Sequence, residues 1–315
     1  APTPWRILPS MQPSPGVYNE AVVAGLDFLL AEMAKRDMTA VLMLGNMWPW
    51  SGGFAQYVNW VTGEPIPYMV TGEHTWDEFQ SYASQFFNEP RCIRLFKEHV
   101  RYIVQRTNSL TGVAYRDDPT IMAWELANEP RAMKAVAGYR RWLNQSAVLI
   151  KSLDPHHLVT TGTEGRTPFA RSHLGTDFLH DHSYAAIDYA TVHVWAQRWG
   201  WAAHGVEAAA AMTRRYVALH VQLASRLNKP LVLEALSFPR DANSSGPGGG
   251  TAGRDAFLRS VLGHALSRTV RVVDGTASQE ETRVQGVGIW AWAGEARPAQ
   301  AAGSAREGGL GAAWW

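Results

Sequence analysis

Six short runs of the chain are apolar almost without interruption: TAVLMLGN (39–46), IMAWELAN (121–128), LVTTGTEG (158–165), YATVHVWA (189–196), PLVLEALS (230–237) and VGIWAWAG (287–294). A strand with one wet face alternates apolar and polar residues. Near-continuous apolar runs instead indicate strands covered on both faces, as in a parallel sheet under helices. Stretches of helical period lie between them. Val22, Leu26, Leu29, Leu30 and Met33 are spaced as one buried helix face, and so are Ile93, Phe96, Val100, Ile103 and Val104. Strand and helix in alternation allow a doubly wound sheet or a (β/α)8 barrel. Asn46, Asn128 with Glu129, Glu164, His193 and Glu234 all fall at the C-terminal ends of different runs, where a barrel gathers its active site. No glycine-rich phosphate turn follows any run, which argues against a nucleotide-binding sheet. The expectation is an α/β fold, a (β/α)8 TIM barrel built by residues 1–315 as a single domain. Six runs leave two strands of a closed barrel unaccounted for, and residues 299–315 show neither period. The barrel is therefore expected to be incomplete at its N-terminal strands and its C-terminal end.

Charge narrows the partners. Twenty-nine basic and 28 acidic residues, spread along the chain, leave a formal net charge of +1, so no basic stripe points to nucleic acid or an anionic membrane. An uncharged substrate is expected. No apolar stretch approaches the roughly 20 residues of a membrane span. No charged segment followed by an apolar one opens the chain, so the protein is either cytosolic or has lost a leader. The single cysteine, Cys92, excludes an internal disulfide and a cysteine metal cage, and its helical apolar position marks it as a core residue.

Fourteen tryptophans are many for 315 residues, and they cluster at Trp48, Trp50, Trp60, Trp195, Trp199, Trp201, Trp290 and Trp292. An indole joins a flat apolar face to one N–H, the complement of a sugar ring. The segment from Asn46 to Asn88 carries Trp48, Trp50, Tyr57, Trp60, Tyr68 and Trp76 and is far longer than an ordinary connection, so it reads as a binding loop. His173, His180 and His182 match no zinc spacing and are expected to be solvated on a polar loop. No metal and no cofactor is expected.

Glu129 and Glu234 end two runs far apart in sequence. Facing each other across a barrel mouth, they would be the paired carboxylates of glycoside hydrolysis, one a proton donor and the other a nucleophile or base. Asn128, just before the first, is placed to donate a hydrogen bond to a sugar hydroxyl. Within 121–128, strand alternation sends Trp124 and Leu126 one way and Glu125 and Ala127 the other, so Glu125 needs a buried partner.

IMAWELANEPR, TGTEG, IDYATVHVW, KPLVLEALSFPRD and IWAWAGEARP, in that order, resemble glycoside hydrolase family 5, nearest its β-mannanase branch. The resemblance implies a retaining endo-β-1,4-mannanase working by double displacement on mannan, galactomannan or glucomannan, secreted or periplasmic and monomeric. It implies Glu129 as acid/base and Glu234 as nucleophile, with carboxyl groups about 5 to 5.5 Å apart. His193 and Trp195 resemble the family's site histidine and the aromatic two residues on, and Trp290 its platform under the cleaved sugar. Arg131 and Trp48 match cleft-lining positions, and Glu164 is expected to support the site from behind. Three departures stand out: no counterpart of the arginine on the family's second strand, Glu-Ala-Leu-Ser in place of Glu-Glu-Phe-Gly, and Arg198 in place of an asparagine. The alternatives are an exo-β-mannosidase, another β-1,4-glycanase of the family, or a catalytically impaired carbohydrate-binding barrel.

Overall fold

The structure, a computed structural model, describes residues 6–69, 72–165, 174–241, 250–273, 277–282 and 284–291. It divides into two compact units, Ala1–Ala190 and Thr191–Trp315.

In the first unit β1 (Ala40–Met43), β2 (Ile121–Glu125) and β3 (Leu158–Thr160) form a parallel sheet in the order β1-β2-β3. Leu42, Trp124 and Val159 are in register on one face; Met43, Glu125 and Thr160 share the other. The Trp124 indole N–H donates to Asp154 Oδ2 at 2.6 Å, just past the end of α5 (Val136–Leu153), so its face is the helix side. Glu125, 6% exposed, points the opposite way and lies against Gly162. The expected alternation is what the register shows.

Helices α1 (Glu20–Ala34), α4 (Pro90–Val104) and α5 belong to this unit. Phe86, Phe96 and Trp142 meet with ring centroids 5.6–6.2 Å apart, and Cys92 is fully buried in the same core. Burial pushes its thiol up to about 12.

Three expectations need correction here. The segment 46–88 is no loop. It holds a 3₁₀ turn (Pro49–Ser51), α2 (Gly53–Thr62), α3 (Trp76–Ser84) and a second 3₁₀ turn (Gln85–Asn88). Its aromatic and apolar residues at helical spacing, Phe54 with Tyr57 and Val58, and Phe79 with Tyr82 and Ala83, close the core. A capping box between Thr75 and Glu78 starts α3. On α1 the inward stripe is Val23, Asp27 and Leu30, while Leu29 is 51% exposed. The helix is rotated because Asp27 is buried, its carboxylate bonded by Arg106, Tyr115 and Ser109. Burial alone would raise that acid, but these bonds outweigh it and hold the carboxyl well below its usual range. Finally, His182 is not solvated. It ends α6 (Phe178–His182), is fully buried, and bonds Thr161 Oγ1 at 2.8 Å and the Phe178 carbonyl at 2.8 Å; His173 lies outside the described residues.

In the second unit β4 (Ala190–Trp195), β5 (Leu231–Ser237) and β8 (Gly286–Ile289) are ordered β4-β5-β8, with β5 parallel to β8. Helices α7 (Val206–Arg226) and α8 (Ala252–Ala265) pack on one another. Asp241 accepts the Ala252 and Gly253 amide N–H groups at the start of α8. An antiparallel hairpin, β6 (Arg268–Val273) and β7 (Ala277–Thr282), was not anticipated. Its signal was the Asp-Gly pair at 274–275 between two β-compatible stretches. All six expected strands are present in shortened form, in an α/β arrangement of parallel sheets.

Candidate active site

Sheet pairing positions Glu129 before any side chain does. Past the end of β2 an Asn46–Asn128 bridge prolongs the contact with the first strand, with Asn128 N donating to the Gly45 carbonyl and Met47 N to the Asn128 carbonyl, each at 3.0 Å. One residue later the chain switches partner, and Glu129 N donates to the Gly162 carbonyl at 2.8 Å. The switch puts Glu129 at φ +49°. Such a backbone costs a residue with a side chain about 1–3 kcal/mol and persists where surroundings over-determine it, commonly at functional sites.

The turn delivers the Glu129 carboxylate, 2% exposed, to the Trp48 indole, whose N–H donates to Oε2 at 2.7 Å. Asn46 organises the approach: its Oδ1 accepts from Trp48 N at 3.1 Å and from Asn128 Nδ2 at 3.2 Å, and its Nδ2 donates to Ser51 Oγ at 2.9 Å. The Trp48 ring stacks on Trp50 with centroids 5.8 Å apart, meets Trp76 edge-on at 5.5 Å, and has the Arg131 guanidinium 4.8 Å from its centroid. Arg131 in turn donates to both carboxylate oxygens of Glu164 at 2.8 Å and to Gln80 Oε1 at 2.7 Å. The first unit thus brings together Trp48, Asn128, Glu129, Arg131 and Glu164.

Gln80 and Ser51 escaped sequence reasoning. Gln80 did leave a signal, a polar residue on the buried face of α3 beside Phe79 and Ala83.

The second unit brings together Glu234, His193, Trp195 and Trp290. Glu234 lies on β5 where the register with β8 slips between Leu233 and Leu236, the kind of bulge that re-aims a side chain beside an active site. Gly288 makes room on the neighbouring strand, since a Cβ there would meet the Glu234 carbonyl oxygen at 2.1 Å. His193 Nε2 lies 3.4 Å from Glu234 Oε2. Trp195 meets His193 edge-on at 6.1 Å and Trp290 at 6.0 Å, and the Arg198 guanidinium sits 5.1 Å from the Trp195 centroid. Trp290 is 43% exposed. Among the described residues no cluster of three or more His, Cys, Asp or Glu side chains is arranged to hold a metal ion.

A family model described as GH family 5 beta-mannosidase-like matches residues 1–310. The chain belongs to glycoside hydrolase family 5. This family 5 chain is 36% identical over 263 residues to putative mannan endo-1,4-beta-mannosidase 9 of Oryza sativa subsp. japonica, covering 80% of this chain and 60% of the rice protein. It superposes on the crystal structure of a glycoside hydrolase family 5 mannosidase from Rhizomucor miehei with a TM-score of 0.82 at 35% identity, covering 94% of this chain and 70% of that one. A hyperthermostable endo-1,4-beta-D-mannanase from Thermotoga petrophila RKU-1 follows with a TM-score of 0.68 at 26% identity, over 89% and 74% of the two chains. The family 5 chain spans roughly 60% of the length of its rice relative.

Proposed function

We propose that the protein is a retaining endo-β-1,4-mannanase that cuts internal bonds of mannan, galactomannan or glucomannan, folded as one (β/α)8 barrel, monomeric, and secreted or periplasmic. The observation that carries the reading is the Glu129 carboxylate, turned by a left-handed backbone into a buried hydrogen bond directly after Asn128. Glu234 beside His193 supplies the second carboxylate. Relatives named for mannan endo-1,4-beta-mannosidase activity support the substrate class.

In the proposed reaction ionised Glu234 attacks the anomeric carbon while the bond to the leaving oxygen breaks and protonated Glu129 hands that oxygen its proton. Water then attacks the same carbon, gives a proton to Glu129, and releases Glu234 as carboxylate. Asn128, His193, Trp195 and Trp290 contact the sugar. Incubation with galactomannan, glucomannan, mannohexaose and cellulose should yield mixed mannooligosaccharides from the mannans; cleavage of cellulose alone overturns the substrate class. Exo-β-mannosidase action is the second reading, favoured by the name of the Rhizomucor miehei relative, and mannose as sole product would establish it.

A further inference from the structure

We propose that Trp48 is a positioning residue for Glu129, clamped in place by Arg131, Glu164 and Gln80, and not a platform for sugar. The inference rests on the reading of Glu129 as acid/base. A sugar platform needs accessible ring surface, and Trp290 is 43% exposed. Trp48 is 4% exposed, with Arg131, Trp50 and Trp76 packed about its ring. What Trp48 directs at the site is its N–H, onto Glu129 Oε2.

An indole N–H donates and never accepts. While that bond stands, Oε2 is engaged as an acceptor, and since a carboxyl C=O oxygen accepts better than its hydroxyl oxygen, the bond favours carrying the transferable proton on Oε1. Trp48 therefore biases which oxygen faces the leaving group. The clamp keeps the indole in this orientation: Arg131 is fixed by a two-point fork on Glu164 and a third bond to Gln80, a planar geometry that a lysine cannot reproduce. Because the Glu164 carboxylate neutralises Arg131, the clamp orients without adding a net positive charge next to the acid. Those two are the charged groups of the clamp.

The test compares two substrates. Mannohexaose needs its leaving oxygen protonated, whereas 2,4-dinitrophenyl β-mannobioside has a leaving group that departs without help. Trp48→Phe keeps a flat ring and loses the N–H. It is expected to lower kcat on mannohexaose about 10- to 100-fold with KM little changed, to leave kcat/KM on the dinitrophenyl substrate within about threefold, and to move the alkaline limb of kcat/KM on mannohexaose to higher pH, since a hydrogen bond favouring the ionised carboxylate is gone. Arg131→Lys should lower kcat on mannohexaose and move the alkaline limb in the same directions by less, again with kcat/KM on the dinitrophenyl substrate little changed. A raised KM on mannohexaose with kcat intact would make Trp48 a sugar platform and overturn the proposal. Equal losses on both substrates with a lowered Tm and an unmoved pH limb would make it packing only, which also overturns it. Glu129→Ala is run alongside. If it lacks the leaving-group dependence, the acid/base reading itself falls and the proposal with it; if it shows the dependence and Trp48→Phe does not, the positioning role alone is lost.

Discussion

Gly162 is where the two demands on the site collide. Its carbonyl accepts the Glu129 amide, and its own backbone sits at φ +74°. A Cβ there would lie 2.1 Å from the Ala127 carbonyl oxygen and 2.2 Å from Glu125 Oε1. Gly162→Ala is therefore expected to lower stability by about 1–3 kcal/mol and to reduce activity beyond that, because the shift is passed to Glu129. Urea unfolding and kcat on mannohexaose check the two parts; unchanged values in both would mean the turn relaxes freely. At this scale the two carboxylates stand out in the sequence because Glu129 follows one apolar run and Glu234 interrupts another, where packing has no use for an acid; Glu234 does not end its strand, since β5 continues to Ser237. The Trp48 bond to Glu129 was not. It joins residues 81 positions apart, and no periodicity encodes which way an indole N–H points.

Among the elements, α6 carries an acid in an uncommon state. Asp181 is 1% exposed; its Oδ2 accepts from Asp177 N at 2.9 Å and from Tyr139 OH at 3.2 Å. Burial outweighs those bonds and pushes its carboxyl up to about 7. The folded chain then holds a proton that the unfolded chain has released above about pH 4, so stability falls as pH rises from about 4 to about 7. Asp181→Asn, neutral throughout, should gain on the parent by at most about 1.4 kcal/mol per pH unit across that window. Denaturant midpoints at pH 4.5, 6 and 7.5 check it, and a constant difference would refute the burial argument. Helices and strands were legible here through their periods, whereas the segment 46–88 was misread. A run of aromatics looks the same whether it faces a sugar or a core, and only the contacts of Phe54, Phe79 and Phe86 decide. Asp27 misled in the opposite way: a charged residue on the inward face of α1 is inverted by partners, Arg106 and Tyr115, that lie some 80 residues on.

For the whole molecule, unbroken apolar runs announced parallel strands, and both three-stranded sheets follow the chain order of those runs; the expected cover on both faces is not complete, since Val41, Met43, Met122 and Leu158 are 37–48% exposed. The β6–β7 hairpin was hidden because its strands are too polar to read as core. If the chain works as the single barrel proposed, calorimetry should give one unfolding transition across both units; two separated transitions would make them independent domains. The buried sulfur of Cys92 offers a clock for that event. As the one thiol in the chain, fully enclosed and with its ionisation suppressed, it should stay silent toward a disulfide reagent in the native protein. It should react only at the moments when the packing around α4 opens. The labelling rate then counts those openings directly, without an added probe or an engineered site.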